Sequence, residues 1–424
     1  MGTGRSAKGR PRSARTAHLV RRARAHARAH RWREAADAYA AAAARDNDPR
    51  LHARAGRMLE RQRFWGEAAD AYRRAIALDP GRARWHVRLA ESLVREQRWP
   101  EAAEEFNAAV ELKPRRARSR FRLARALEQM GDLEGALAAN RAALACDGRT
   151  SALDHELLAA DVRRFHARRR IGHFVSAHLD EIHERAAAGP AVREAYPRIW
   201  VYWAQGIESA PAVVRRCHEE LRRLHAPEEI LVLDDSLVPD YVDIPEVVRR
   251  RTGRNKTKFA DVLRVELLLR YGGVWLDATC LVRRRVFDAI ADDMGSGFLA
   301  YRYRPGLIST WLMASEPGHP IVRLLREAQI AYWEHYRRPI DYYVLHHLFE
   351  ALDRLDEDFR ARWAATPERS SEIPTLLQYA MDEPFDPQRY RELLEASWIH
   401  KLTYKFPAPS NSHLAAFVRG EAPR

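Results

Sequence analysis

The chain has 424 residues, 46% of them apolar, enough for two or three domains that each bury a core. No run of about 18 uninterrupted apolar residues predicts a membrane span, no apolar signal core follows the N-terminus, and the cysteines at 146, 217 and 280 match no zinc spacing. The formal charge is +14, but nine Lys/Arg and no acid fall within residues 1–30, leaving 14 − 9 = 5 for the rest, which argues against a general nucleic-acid-binding face.

Residues 1–15, rich in Gly, Ser, Arg and Pro, predict a disordered basic arm whose partners would be anionic lipid or an acidic polymer. The expected location is the cytoplasm, with peripheral contact at the inner face of the membrane. Met1-Gly2-x-x-x-Ser6 has the form of a myristoylation signal, but the pattern is too short to carry weight alone. Residues 16–150 repeat. Arg31-Trp32-Arg33-Glu34-Ala35-Ala36-Asp37-Ala38-Tyr39 recurs from Phe64 to Tyr72 and from Arg98 to Phe106, with a faded copy from Asp132 to Asn140. Trp32, Trp65, Trp99 and Leu133 step by 33, 34 and 34, and Asp79-Pro80, Lys113-Pro114 and Asp147-Gly148 close the units. This resembles the tetratricopeptide repeat, whose period is about 34 residues. The resemblance implies a helical solenoid with a groove for a protein partner, which no residue identifies.

Residues 151–195 predict a helical linker, with Leu157, Leu158, Val162, Phe165 and Phe174 at apolar positions. Beyond it, Pro197 to Gly206 reads as a strand running into a Trp-containing loop. A basic run follows (Arg249, Arg250, Arg251, Arg254, Lys256, Lys258), either a solvated loop or a contact for phosphate or an acidic acceptor. Phe259 to Arg270 predicts a helix on which Asp261 and Arg264, three apart, share a face. Alone, that pair would be a local ion pair worth a few tenths of a kcal/mol. Next come Tyr271-Gly272-Gly273-Val274-Trp275-Leu276-Asp277-Ala278-Thr279: a glycine turn, a buried strand, and a carboxylate at the strand's tip, where open α/β sheets bind ligands.

The Asp-x-x-Arg helix followed by Gly-Gly-x-aromatic-x-Asp resembles nucleotide-sugar glycosyltransferases of the GT-A type. Within them it is most like the capsular polysaccharide synthesis group, similar to glycosyltransferase family 32 and Och1-like enzymes. Three further segments match in order: Pro197 to Gly206, Leu312 to Pro320, and the His-Lys element Ile399 to Lys405. The resemblance implies an α + α/β chain: the solenoid, then a GT-A-like, Rossmann-like nucleotide-sugar-binding domain over 196–408, then a tail over 409–424. It implies a hexosyltransferase-like enzyme moving a sugar from a nucleoside-diphosphate donor to a glycan or lipid-linked acceptor. Asp261, Arg264 and Asp277 would be catalytic. Trp203, Gly272, Gly273, Thr279, His400 and Lys401 would contact the donor, Trp203 by stacking on the base unless it is core.

The usual second acid is here Thr279, so a divalent Mn²⁺ or Mg²⁺ would be held by Asp277 with another group such as His400, or cations would replace it. Trp311, Asp341 and Tyr342, among other aromatics after the motif, are the expected acceptor side, with core packing the competing use. Two rivals stay open: an adaptor with a decayed transferase domain, motivated by Thr279, and a repeat protein binding nucleic acid, motivated by net charge. Arg- and Ala-rich usage suggests a bacterial, high-GC source.

Overall fold

A computed structural model describes residues 13–146, 152–193, 198–304, 307–405 and 409–422. The chain divides into two compact units, Met1–Arg169 and Arg170–Arg424.

The first unit is a tetratricopeptide-repeat solenoid. Its helices are α1 (Ala14–Arg28), α2 (Trp32–Asp46), α3 (Pro49–Arg61), α4 (Trp65–Leu78), α5 (Ala83–Arg95), α6 (Trp99–Leu112), α7 (Ala117–Gln129) and α8 (Leu133–Leu144). Each packs on the next. The repeated alanines explain how: Ala35, Ala42, Ala68, Ala75, Ala102 and Ala109 are fully buried, and their small side chains let helix backbones approach. The turn inside each repeat has a left-handed residue, at His30, Arg63, Gln97 and Gly131. Only the last is glycine, so three of these turns carry no glycine signal. α1 starts inside the expected arm, where Ser13 accepts a hydrogen bond from Thr16 N at 3.1 Å. Residues 1–12 and the Asp147-Gly148 repeat end lie outside the described residues.

The expected linker is a single helix, α9 (Ala152–Ala187), that contributes to the core of each unit. Phe165 packs with Leu133 and Leu137 in the first unit. Ile171, Phe174, Val175 and Ile182 belong to the core of the second. The side chains of Leu157 and Leu158 are outside the described residues.

The second unit is built on a five-stranded mixed sheet of order β2-β1-β3-β6-β5. Its strands are β1 (Ile199–Tyr202), β2 (Ile230–Leu233), β3 (Gly273–Leu276), β5 (Phe298–Arg304) and β6 (Leu307–Ser315); β4 (Cys280–Val282) and β7 (Ile399–Lys401) form a separate antiparallel pair. β1 runs parallel to β2 and β3, while β6 is antiparallel to β3 and β5. Alternation assigns the side chains. Trp200, Tyr202, Trp275 and Met313 enter one core, and Ile199, Val201, Val274, Leu276 and Leu312 enter the other. With both faces covered, β1, β2 and β3 read as unbroken apolar runs. The expected tail at 409–424 is no tail where it is described: the His413–Arg419 helix buries Leu414, Ala416 and Phe417 in a third cluster with Tyr390 and Leu402.

The glycine pair serves this sheet. Gly272 and Gly273 have φ of +65° and +87°. A Cβ on Gly273 would sit 2.4 Å from the Arg198 carbonyl oxygen, and one on Gly272 would sit 2.7 Å from Ser315 O. The pair therefore admits β3 between β1 and β6. Gly272 precedes β3 and Gly273 opens it, about 13 Å or more of strand from Asp277 at a rise of about 3.3 Å per residue. Their expected role in donor contact is corrected to a role in the turn.

Candidate active site

Five charged side chains alternate in sign across the C-terminal ends of β1 and β3. The Lys256–Tyr271 helix supplies three of them at i, i+3 and i+6, one above the other on a single face. Lys258 Nζ donates to Asp261 Oδ2 at 2.9 Å. Arg264 Nη2 lies 3.4 Å from Asp261 Oδ1 and 3.4 Å from Asp277 Oδ1, so one guanidinium bridges two carboxylates. Its Nη1 donates to Thr310 O at 2.7 Å, and its plane covers the Trp275 ring at 5.1 Å. Lys401 Nζ closes the series, 2.9 Å from Asp277 Oδ2 and 2.5 Å from Thr279 Oγ1. Three cations face two carboxylates, a formal balance of +1.

The network is graded in exposure. Lys258, Asp261 and Arg264 are 2%, 5% and 4% exposed, whereas the side chains of Asp277 and Lys401 keep 27% and 21%. Buried charges are tolerable only when paired and hydrogen-bonded, which these are. The Asp261–Arg264 pair is thus a buried strut, not a surface ion pair. It sets Arg264 behind Asp277, and the more open members are Asp277 and Lys401. Burial alone would raise the Asp277 carboxyl. The Lys401 ammonium, then the Arg264 guanidinium, with hydrogen bonds from Lys401 and Trp275 Nε1, outweigh it and bring it down to about 2. Lys401 is raised: burial opposes its charge, but Asp277 more than compensates.

Chain topology explains how residues 124 apart in sequence meet. Asp277 N donates to Trp311 O and Cys280 N to Asp277 O, forming a turn that leads into β4. β4 pairs with β7 so that Cys280 faces Lys401 and Leu281 faces His400. One residue of offset reverses the face. Lys401 therefore points to Asp277, and His400 points away. His400 is fully buried, and its Nε2 donates to Leu394 O at 2.9 Å. This corrects the expected pairing of His400 with Asp277 around a metal.

The donor set does not fit Mn²⁺ or Mg²⁺. Asp277 is the one carboxylate at this position, both its oxygens face cations or Trp275 Nε1, and Thr279 Oγ1 accepts from Lys401, so a divalent ion would sit against an ammonium with too few anionic ligands. Among the described residues no group of three or more His, Cys, Asp or Glu could hold a metal. An ammonium stands between the motif carboxylate and the residue that replaces the second acid.

The other expected residues divide. Trp203 follows β1 directly, is half-buried, and meets Tyr404 edge-on at 5.4 Å between centroids. Trp311 is buried against Tyr301 at 5.0 Å, so its ring is core, and its contribution to the site is the carbonyl that holds Asp277 N. This corrects its expected place on the acceptor side. Tyr342 is 54% exposed and lies against Lys258 Nζ, 4.9 Å from its ring centre; its carbonyl also accepts from that ammonium. Asp341 holds the segment carrying Tyr342: it accepts from Tyr343 N at 2.7 Å and from His347 Nε2 at 2.9 Å. Two members gave little or no sequence signal. Lys258 was one cation in a run of six. His346 carries no sequence signal, yet burial lowers it to about 4 against the pull of Asp261, and its buried Nδ1 has no partner among the described residues. It is a neutral imidazole beside the network.

The profile of the capsular polysaccharide synthesis protein family matches residues 159–419. The chain belongs to this family. A tetratricopeptide-repeat profile matches residues 20–83 and 87–149, so this member of the capsular polysaccharide synthesis family carries the repeats before its family region. It is similar to the O-glycosyltransferase PaGT of Phomopsis amygdali, 31% identical over 169 residues, 35% of this chain and 40% of that protein. The chain thus matches less than half the length of that curated relative. Among solved structures, MamA (41-end) from Desulfovibrio magneticus RS-1 is 18% identical with a TM-score of 0.31, covering 37% of this chain and 95% of that one. YrrB, a tetratricopeptide-repeat protein, is 20% identical with a TM-score of 0.31, covering 36% and 76%. Among the described residues no helix is long and apolar enough to cross a membrane.

Proposed function

We propose that this protein is a glycosyltransferase that takes a sugar from a nucleoside-diphosphate donor and passes it to a glycan or lipid-linked acceptor in cell-surface polysaccharide assembly. The observation that carries the reading is Lys401 Nζ, held between Asp277 and Thr279 with Arg264 behind them, at the partly open end of a charge network beyond the parallel strands. Cleaving a sugar–phosphate bond leaves negative charge on the diphosphate, and fixed cations in a partly desolvated site stabilise that charge as it forms. Lys401 and Arg264 supply it, and Lys258 adds to the local potential. Asp277, ionised at neutral pH, fixes Lys401 and accepts from a sugar or ribose hydroxyl. Trp203 offers a face to the nucleobase. Tyr342 and neutral His346 lie toward the acceptor. Family membership and the likeness to an O-glycosyltransferase support this reading.

The test is a thermal-shift screen of nucleoside diphosphates and nucleotide sugars followed by a hydrolysis assay on any hit. A ligand that binds the folded state raises its apparent stability. A shift with one donor, turnover of that donor, and loss of both in Asp277→Asn are the expected results. Binding without turnover would favour the adaptor reading, and no shift with any nucleotide would overturn the proposal.

A further inference from the structure

The repeat unit carries charges that a transferase site does not use. Arginines recur at the repeat period on the first helices of successive repeats. Arg50, Arg84 and Arg118 form one row and Arg54, Arg88 and Arg122 another, each stepping by 34 along α3, α5 and α7. Equal steps on equivalent helices put each row on matching positions of the array.

Arg50, Arg54, Arg57, Arg84 and Arg88 converge on one cavity of about 110 Å³, with Tyr72 and Trp85 buried at its wall. No carboxylate lines it. Arg54 Nη1 is buried without a hydrogen-bond partner among the described residues. Arg88 also borders a neighbouring cavity of about 580 Å³, where Arg122 and Arg125 lie beside half-buried Trp65 and Trp99. Glu60 and Glu91 stand there too and pair with Arg88 and Arg122. Even so, burial, then repulsion from Arg118, Arg116 and Arg88, holds the Arg122 guanidinium below its ordinary value against the pull of Glu91. Solvated surface arginines spread apart. Arg88 is partnered by Glu60 and Glu91; the other four guanidiniums share a cavity that no carboxylate lines, where an anion would relieve their mutual repulsion.

We propose that this groove binds an anionic glycan chain, its carboxylate or phosphate groups in the arginine cavity and its sugar faces against Trp65 and Trp99. The identification of that chain as the acceptor rests on the transferase reading; the binding does not. Guanidinium forks match carboxylate and phosphate oxygens bidentately. A polymer charged at each unit suits a charge row repeated along an array. An acidic peptide would meet the same guanidinium forks but brings no sugar ring to Trp65 and Trp99, and it is the competing occupant in the test.

The test uses the full chain and fluorescence anisotropy with four labelled probes: an oligogalacturonate, a glycerol-phosphate oligomer, neutral maltooctaose, and an oligoglutamate peptide of matched charge. At least one of the two anionic non-peptide polymers should bind, weaken steeply with salt, and outcompete the peptide; which one binds names the anion. Arg54→Gln and Arg84→Gln should each weaken binding about tenfold, as expected for a lost charge-assisted hydrogen bond. Exposed Arg45→Gln should bind like wild type. Neither cavity variant should alter donor hydrolysis. Peptide binding as tight as polymer binding would overturn the inference, as would failure of both polymers to bind, or polymer affinity that survives both substitutions. Asp277→Asn separates the two readings: it removes turnover and leaves polymer binding intact.

Discussion

Lys401→Ala is the sharpest perturbation of this site. The ammonium lies 2.9 Å from Asp277 Oδ2. At an effective dielectric of about 20 that separation corresponds to about 6 kcal/mol of gross attraction, most of it offset by desolvation of the two charges. Asp277 would keep Arg264 at 3.4 Å and the Trp275 N–H at 3.0 Å, so it would not be left unpaired. The expected loss of stability is therefore about 1–3 kcal/mol, below the 3–5 typical of a fully orphaned buried charge. The catalytic loss should be larger. Removing one fixed group that stabilises developing negative charge costs about 10²–10³ in kcat. The assay is donor turnover by the protein in EDTA and in a Mn²⁺ titration. Wild type should work equally in both, because Lys401 supplies the charge that a metal would bring. Lys401→Ala should lose turnover while still binding nucleoside diphosphate weakly. Adding Thr279→Asp restores the second acid, and this double variant should regain part of the activity only with Mn²⁺. Two results would refute the reasoning: wild-type turnover abolished by EDTA and restored by Mn²⁺, or Lys401→Ala within a few-fold of wild type.

Two further predictions concern stability. Gly273→Ala places a Cβ 2.4 Å from the Arg198 carbonyl at a φ of +87°, so it should cost about 3 kcal/mol or more and lower the melting temperature without a specific loss at the Asp277 end; unchanged stability would contradict the turn assignment. The folded Asp277 carboxyl sits at about 2, below its ordinary 3.8. A depressed carboxyl contributes stability above its unfolded value and loses it as pH falls through the folded one. The stability gap between wild type and Asp277→Asn should thus be flat from about pH 8 to 5 and shrink by about 2 kcal/mol toward pH 2, as measured by paired urea titrations. A gap that holds constant to pH 2 would mean Asp277 is not ion-paired.

Much was legible in the sequence because much was local. The 34-residue period, the alanines that let helices touch, the Gly-Gly-strand-Asp unit and the Asp261–Arg264 spacing are written in consecutive residues, and each fixes its element through backbone geometry and helical or strand periodicity. The same local reasoning misplaced Gly272 and Gly273 as donor contacts, since a motif does not say which end of a strand faces the ligand. It left Trp311 between a sugar platform and the core, since burial depends on what the other sheet face meets. It paired His400 with Asp277, since adjacent strand residues point to opposite faces and only the β4–β7 register determines that Lys401 is the one turned inward. Tertiary structure alone made a basic run yield one buried lysine, Lys258, and brought a lysine 124 residues away to the motif carboxylate. Local order in the chain set the elements, and long-range packing, which no window of residues contains, decided which charges share a site.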